Sequence, residues 1–333
     1  MTHPRHEPAL AGAGLAPPSL VRVDPSLRAE VLRGLTASRK SLPPKLFYDA
    51  TGAALFERIT TLPEYYLTRA ELEILRARVG EIAALAGPRP ALVEYGSGAG
   101  VKVRLLLDAF EAAGEPAAAY VPIDISREQL AAVAAEIAAE YPRVPVHPVC
   151  ADYTASLALP ELPRRARRVA FFPGSTIGNF HPTEAAAFLH RIRRAVTGDG
   201  VLVLGVDRRK DAAVLDAAYD DAAGVTAAFN LNMLRRLNRE LGADFDLERF
   251  RHRAFFNEAA GRVEMHLVSL EPQVVQVAGT RVAFGAGESI WTESSYKYDR
   301  ASLDALVAGA GFRVAHLWTD SAERFWVGYL EAA

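Results

Sequence analysis

Between about residues 90 and 207 the chain alternates short apolar runs with stretches whose apolar residues recur at helical spacing. Residues 91–94 form an apolar run that ends in a glycine cluster, and residues 101–113 place Val103, Leu106, Leu107 and Phe110 on one helical face. Residues 120–125 read as the next strand. Ser126-Arg127-Glu128-Gln129 has the pattern of a capping box and should open a helix to about Glu140. Residues 144–150 and 169–172 read as further buried strands, Pro182 suits the first turn of a helix to about Val196, and residues 201–206 close the series. Strands separated by helices of this length imply βαβ units and a parallel sheet.

Two further strand-like runs, 311–318 and 325–330, are joined by Asp320-Ser321-Ala322-Glu323 and suit a hairpin at one sheet edge. Residues 211–298 break the rhythm with helices and strands of their own, and residues 25–69 precede the first unit with no place in the sheet. The pattern predicts an α/β fold in which a doubly wound domain (70–208 and 298–333) is joined by a second α+β domain built from 25–69 and 209–297. Residues 1–24, rich in Pro, Ala and Gly, read as a flexible tail.

Composition narrows the function. Half the residues are hydrophobic and 23% are charged, which suits a globular chain with an ample core. Thirty-eight basic and forty acidic residues give a net charge of −2, with no tail dense in Lys or Arg, so no nucleic-acid partner is expected. Cys150 is the only cysteine, which excludes a disulfide framework and a multi-cysteine zinc site; no metal is expected. No apolar run reaches the ~18 residues of a membrane span. Glu7 and the early glycines and prolines interrupt any signal-like stretch, so the expected location is the cytoplasm.

The glycine cluster Glu94-Tyr95-Gly96-Ser97-Gly98-Ala99-Gly100 follows a strand and opens a helix, where a backbone can turn tightly and approach a ligand. Tight turns use glycine without ligands, so the loop alone is a weak signal. Position 101 is Val, where the dinucleotide fingerprint has Gly or Ala. Asp124 ends the next strand, placed to accept hydrogen bonds from a ribose, and Asp152-Tyr153 ends the third, placed to meet an adenine. Each aspartate alone is more often a cap or turn residue. Three such features at successive strand ends point to an adenosine-bearing cofactor, S-adenosylmethionine (SAM) rather than NAD. Lys102, in the first helical turn, is a candidate for the cofactor's carboxylate. Asn179, in Gly174-Ser175-Thr176-Ile177-Gly178-Asn179, offers donors and an acceptor to a small polar substrate.

Two N-terminal segments, Lys40 to Asp49 (KSLPPKLFYD) and Leu62 to Arg69 (LPEYYLTR), resemble the SAM-dependent L-histidine Nα-methyltransferases of ergothioneine biosynthesis. So do the GSTIGN loop, Ala218-Tyr219-Asp220-Asp221 and Thr292-Glu293-Ser294-Ser295. The resemblance extends over nearly all of the chain after residue 25. It implies a Rossmann-like class I methyltransferase sheet with a substrate domain, and an enzyme that trimethylates L-histidine to hercynine. Carried over residue by residue, it implies cofactor contacts at Gly96, Lys102, Asp124, Asp152 and Tyr153. It places Tyr65, Asn179, Tyr219, Glu293 and Ser295 around histidine, with Ser294 between the last two, and Tyr48, Phe56 and Met265 as further walls. Leu67 stands where the family usually has proline, and Tyr95 and Tyr153 are aromatic variants at the cofactor site.

These residue types suit the chemistry. Glu293 and Ser295 are two apart, so on a strand both point the same way, and together they can bind the two nitrogens of an imidazole. Tyr219 and Asn179 can hold an α-carboxylate without a cation. The expected partner is a small molecule, L-histidine, bound by a monomer with no membrane involved. The competing readings are an Nα-methyltransferase for another aromatic amino acid, such as tryptophan, and a non-catalytic SAM-binding regulator.

Overall fold

The computed structural model describes residues 25–155 and 157–333; the tail expected at residues 1–24 lies outside the described residues. Among the described residues three α-helices come first: α1 (Pro25–Thr36), α2 (Ala50–Thr60) and α3 (Leu67–Ala86). The βαβ series follows as β1 (Ala91–Tyr95), α4 (Val101–Ala112), β2 (Ala119–Asp124), α5 (Arg127–Glu140), β3 (Val149–Cys150), β4 (Arg168–Phe172), α6 (Pro182–Val196) and β5 (Val201–Asp207). Helices α7 (Ala212–Tyr219) and α8 (Val225–Leu241) lead into strands β6 (Phe250–Asn257), β7 (Arg262–Ser269), β8 (Gln273–Val277), β9 (Thr280–Phe284) and β10 (Ser289–Tyr296). The chain closes with α9 (Arg300–Gly309), β11 (Phe312–Thr319) and β12 (Phe325–Ala332).

Seven strands form one sheet in the order β11-β12-β5-β4-β1-β2-β3, parallel from β5 to β3. The β11–β12 hairpin adds antiparallel to β5, with β11 at the edge. This is the doubly wound α/β sheet that the alternating pattern predicts. Strand alternation sends Leu92, Tyr120, Phe171 and Val203 into one hydrophobic cluster and Val93, Val121, Phe172 and Leu204 into the other. The first cluster runs without a break into the added elements, through Phe47, Tyr65, Phe229 and Met265. Those elements include a three-stranded antiparallel sheet in the order β10-β7-β6 and the β8–β9 pair. Isolated bridges Ser41↔Trp291 and Arg208↔Tyr298 tie the N-terminal piece to β10, and the end of β5 to the residues just after β10.

Two local expectations need correction. The strand expected at 144–150 shrinks to Val149–Cys150, because Pro145 and Pro148 supply no N–H to a ladder; only an isolated Tyr120↔Val146 bridge precedes it. Cys150 there is exposed, so this strand is not the buried one expected. The capping box at Ser126 does not form. The Ser126 side chain makes no cap bond, and its backbone N–H instead donates to Asp124 Oδ1 at 3.0 Å. No described helix is long and apolar enough to cross a membrane.

Candidate active site

The sheet order reverses between β1 and β4, and a crevice at such a switch point is where open α/β sheets bind ligands. Gly96, Gly98 and Gly100 all adopt positive φ (76°, 48° and 68°), a conformation costly for residues with a Cβ. Gly98 N–H donates to Asp124 Oδ2 at 3.2 Å, so the carboxylate at the end of β2 is drawn to the glycine loop. Tyr153 packs edge-on against Tyr95 and Phe172, and its ring lies 3.8 Å from where a Gly96 Cβ would stand. The result is a cradle of bare backbone, a carboxylate and an aromatic wall, which fits an adenosine-bearing group. Asp152 Oδ1 is engaged by Thr154 N–H at 2.9 Å, leaving Oδ2 4.0 Å from Lys45 Nζ.

Lys102, expected at the cofactor's carboxylate, is paired with a residue the sequence reading missed. Its Nζ lies 2.5 Å from Glu71 Oε2, and both Glu71 oxygens accept Gly174 N–H at 2.9 Å. Glu71 is 1% exposed. The Gly174 loop that carries Asn179 is pinned a second time where Ser175 Oγ accepts Asp207 N–H at 2.8 Å. Ser175 holds φ at 56°, a strained value for serine that this double anchorage sustains. Gly178 sits against β10 so closely that a Cβ would lie 2.7 Å from Tyr296 O, so only glycine lets the loop reach Asn179.

Tyr48, Phe56, Tyr65, Asn179, Tyr219, Met265, Glu293 and Ser295 line one cavity. Thus eight of the nine expected substrate residues converge from distant parts of the chain. Ser294 is not among the lining residues, because alternation on β10 turns it opposite to Glu293 and Ser295. Ile59, Gly174, Ser175, Thr176, Ala218, Thr226 and Phe229 also line it and were not expected. Tyr48 meets Phe56 edge-on at 6.0 Å and Phe56 meets Tyr65 at 6.3 Å, giving the cavity an aromatic flank.

A polar hub closes the cavity behind Tyr219 and Ser295. Tyr219 Oη and Ser295 Oγ lie 2.8 Å apart, and Lys297 Nζ donates to each at 2.8 Å. Lys297 also lies 2.8 Å from Asp207 Oδ2, with both side chains fully buried. Asp207 accepts Tyr66 Oη–H at 2.8 Å and is paired with Lys210 as well. Burial lowers the Lys210 pKa to about 8, against the pull of Asp207. The sequence signal for Lys297 was present: Glu293, Ser295 and Lys297 occupy alternate positions of one strand and its immediate extension.

Burial also sets the ionisation of the cavity. It pushes the Glu293 carboxyl up to about 7, with the Lys297 charge opposing the rise. Burial first, then neighbouring phenols and carboxylates, raises Tyr48, Tyr65 and Tyr219 well above the usual tyrosine range. These phenols stay neutral and serve as hydrogen-bond partners rather than as bases. Glu293 in the cavity and Tyr153 and Asp124 in the cofactor cleft add to the rise at Tyr48. Among the described residues no group of His, Cys, Asp and Glu is arranged to hold a metal ion.

The chain is similar to known proteins over most of its length. The chain is 47% identical over 302 residues to a histidine N-alpha-methyltransferase of Mycolicibacterium smegmatis, covering 90% of this chain and 93% of that one. A histidine N-alpha-methyltransferase of Mycobacterium tuberculosis is 46% identical over the same shares. Ergothioneine biosynthesis protein 1 of Neurospora crassa is 32% identical over 84% of this chain and 32% of its own length. The model of the histidine-specific, SAM-dependent methyltransferases matches residues 27–332, and the chain belongs to that family.

Proposed function

We propose that this enzyme transfers methyl groups from SAM to the α-amino nitrogen of L-histidine, in three successive steps that give the trimethylated betaine hercynine for ergothioneine biosynthesis. The observation that carries the reading is the meeting of Glu293 and Ser295 with Asn179 and Tyr219 in one aromatic-walled cavity. A carboxylate beside a hydroxyl suits the two imidazole nitrogens, and an amide with a phenol suits the α-carboxylate.

Gly96, Gly98, Asp124 and Tyr153 would hold the cofactor, with Lys102 at its carboxylate and Asp152 on the adenine side. When bound, SAM supplies a methyl group already activated by a sulfonium. The protein's task is to hold a neutral amine in line, exclude water and tolerate a growing positive charge. Tyr48, Phe56 and Tyr65 answer the last need, since aromatic faces attract quaternary ammonium groups. The neutral phenols of Tyr48 and Tyr65 offer polar contacts to the amine without becoming charged competitors for the cation.

The proposal includes a two-part organisation, with residues 25–69 and 209–297 binding histidine and residues 70–208 and 298–333 binding SAM. It also includes a cytoplasmic monomer acting without nucleic acid or membrane, which light scattering in solution tests for the oligomeric state. Mass spectrometry of a reaction with L-histidine and SAM tests the activity. The expected products are mono- and dimethyl species followed by a trimethyl species. Turnover of tryptophan with none of histidine would overturn the substrate assignment, and no turnover with any amino acid would favour a regulator.

A further inference from the structure

Lys297 has no hydrogen left to give. An ammonium carries three hydrogens and no acceptor, and Tyr219, Ser295 and Asp207 take all three at 2.8 Å each. Tyr219 Oη and Ser295 Oγ therefore both already accept from Lys297, and they also share a hydrogen bond of 2.8 Å with each other. Of the two hydroxyl hydrogens, one is used between them and one remains for a ligand. Only two arrangements satisfy this count. In the first, Tyr219 donates to Ser295, and Ser295 offers its hydrogen to the cavity. In the second, Ser295 donates to Tyr219, Tyr219 offers its hydrogen, and Ser295 presents a lone pair.

An α-carboxylate has only acceptors, so its presence at Tyr219 requires the second arrangement. Ser295 must then accept from one ring N–H and Glu293 from the other, so the ring binds as an imidazolium. We infer that Lys297, anchored on Asp207, is a positioning residue that couples recognition of the carboxylate end of the substrate to recognition of its ring. It does so by forcing Tyr219 and Ser295 to share a single outward hydrogen. This inference rests on the histidine assignment above and extends it to a residue outside the cavity lining.

Calorimetric titration of the full-length protein, saturated with S-adenosylhomocysteine, with L-histidine and with histamine tests the coupling. Lys297→Met keeps the length of the side chain and removes the ammonium. Its affinity for histidine should fall at least about tenfold while that for histamine, which lacks the carboxylate, changes by less than about threefold. S-adenosylhomocysteine affinity should stay unchanged. A merely structural lesion would weaken histidine and histamine together, and that result overturns the inference.

A second arm does not depend on the folding of the Lys297 variant. In the native background, Tyr219→Phe and Ser295→Ala should be coupled, with the double variant less than about threefold weaker than the worse single variant. Losses that multiply independently overturn the shared hydrogen. If the native enzyme turns over another aromatic amino acid instead of histidine, the histidine assignment fails. The same double-variant cycle run on that amino acid still decides whether Tyr219 and Ser295 share one outward hydrogen.

Discussion

Glu71 joins Lys102 to the backbone of Gly174: its carboxylate lies 2.5 Å from the ammonium and 2.9 Å from the amide nitrogen. One buried carboxylate thus ties the helix that follows the glycine loop to the loop that carries Asn179. The cofactor cleft and the substrate cavity share this support.

Removing that support should cost stability and both ligands at once. Glu71→Ala leaves the Lys102 ammonium and the Gly174 N–H without their partner, and breaking a buried pair costs roughly 3–5 kcal/mol. Lys102 keeps 19% of its side chain exposed, so the lower end of that range is expected. Glu71→Gln retains an acceptor for Gly174 and should recover most of the stability but not the ion pair. Urea unfolding of the three proteins checks this; equal midpoints would mean that Glu71 supports nothing.

Asp124 tests the cofactor cleft. Asp124→Ala should weaken SAM binding by roughly 1.5–3 kcal/mol, the usual scale for a hydrogen bond to a charged group. Its carboxylate also accepts Gly98 and Ser126 N–H, so part of the loss reflects a slackened glycine loop. Asp124→Asn keeps one carbonyl acceptor and should lose less. Unchanged SAM affinity by calorimetry in the alanine variant would remove Asp124 from the site.

The sequence made the sheet legible because period-two and period-3.6 patterns alternate cleanly from β1 to β5, and each glycine or aspartate of the cleft sits at a strand end. The strand at 144–150 misled because its apolar residues mask two prolines that cannot join a ladder. Glu71 left a mark that went unread. Leu67, Ala70, Glu71, Ile74 and Leu75 are all buried, so this glutamate interrupts an apolar helical stripe. Asp207 and Lys297 were harder, since their pairing closes a gap of 90 positions that no local pattern reveals. The motifs of the cavity were recognised as family features, yet the hub that links two of its residues, Tyr219 and Ser295, is long-range. Ser294 was included by adjacency, whereas strand alternation excludes it.

Buried carboxylates make a prediction about pH. Burial pushes Glu94 up to about 8 from its ordinary 4.5, with the Tyr120 hydrogen bond and Lys102 opposing. Between those two values the folded protein holds a proton that the unfolded chain releases, so stability falls as pH rises through this window and levels off above it. Glu293 contributes in the same direction up to about 7. Glu94→Gln keeps an acceptor for Tyr120 and removes the titration. Its melting temperature should decline less between pH 5 and pH 8, with a gain over the native chain of roughly 2–4 kcal/mol at the upper end. Parallel melting curves would show that Glu94 does not titrate in this range.

Selectivity is predicted to rest on Glu293. Among the described residues it is the one carboxylate lining the cavity, and it can accept a hydrogen bond from an imidazole N–H. A substrate ring without a suitably placed N–H leaves that carboxylate buried and unpaired. Sites built to hydrogen-bond a substrate group can reject analogues lacking it by as much as ~10⁴–10⁵, far beyond what shape alone achieves. Glu293→Ala should therefore lose histidine activity through the missing bond, while added room and lower polarity ease the penalty on phenylalanine or tryptophan. The ratio of kcat/KM for histidine over tryptophan should fall by more than about tenfold, or ~1.4 kcal/mol of differential transition-state binding. Ser295→Ala should shift the ratio the same way but less, because it removes a neutral partner. If Glu293→Ala slows every amino acid equally, the carboxylate is structural and selectivity must reside in the shape set by Phe56, Tyr65 and Met265.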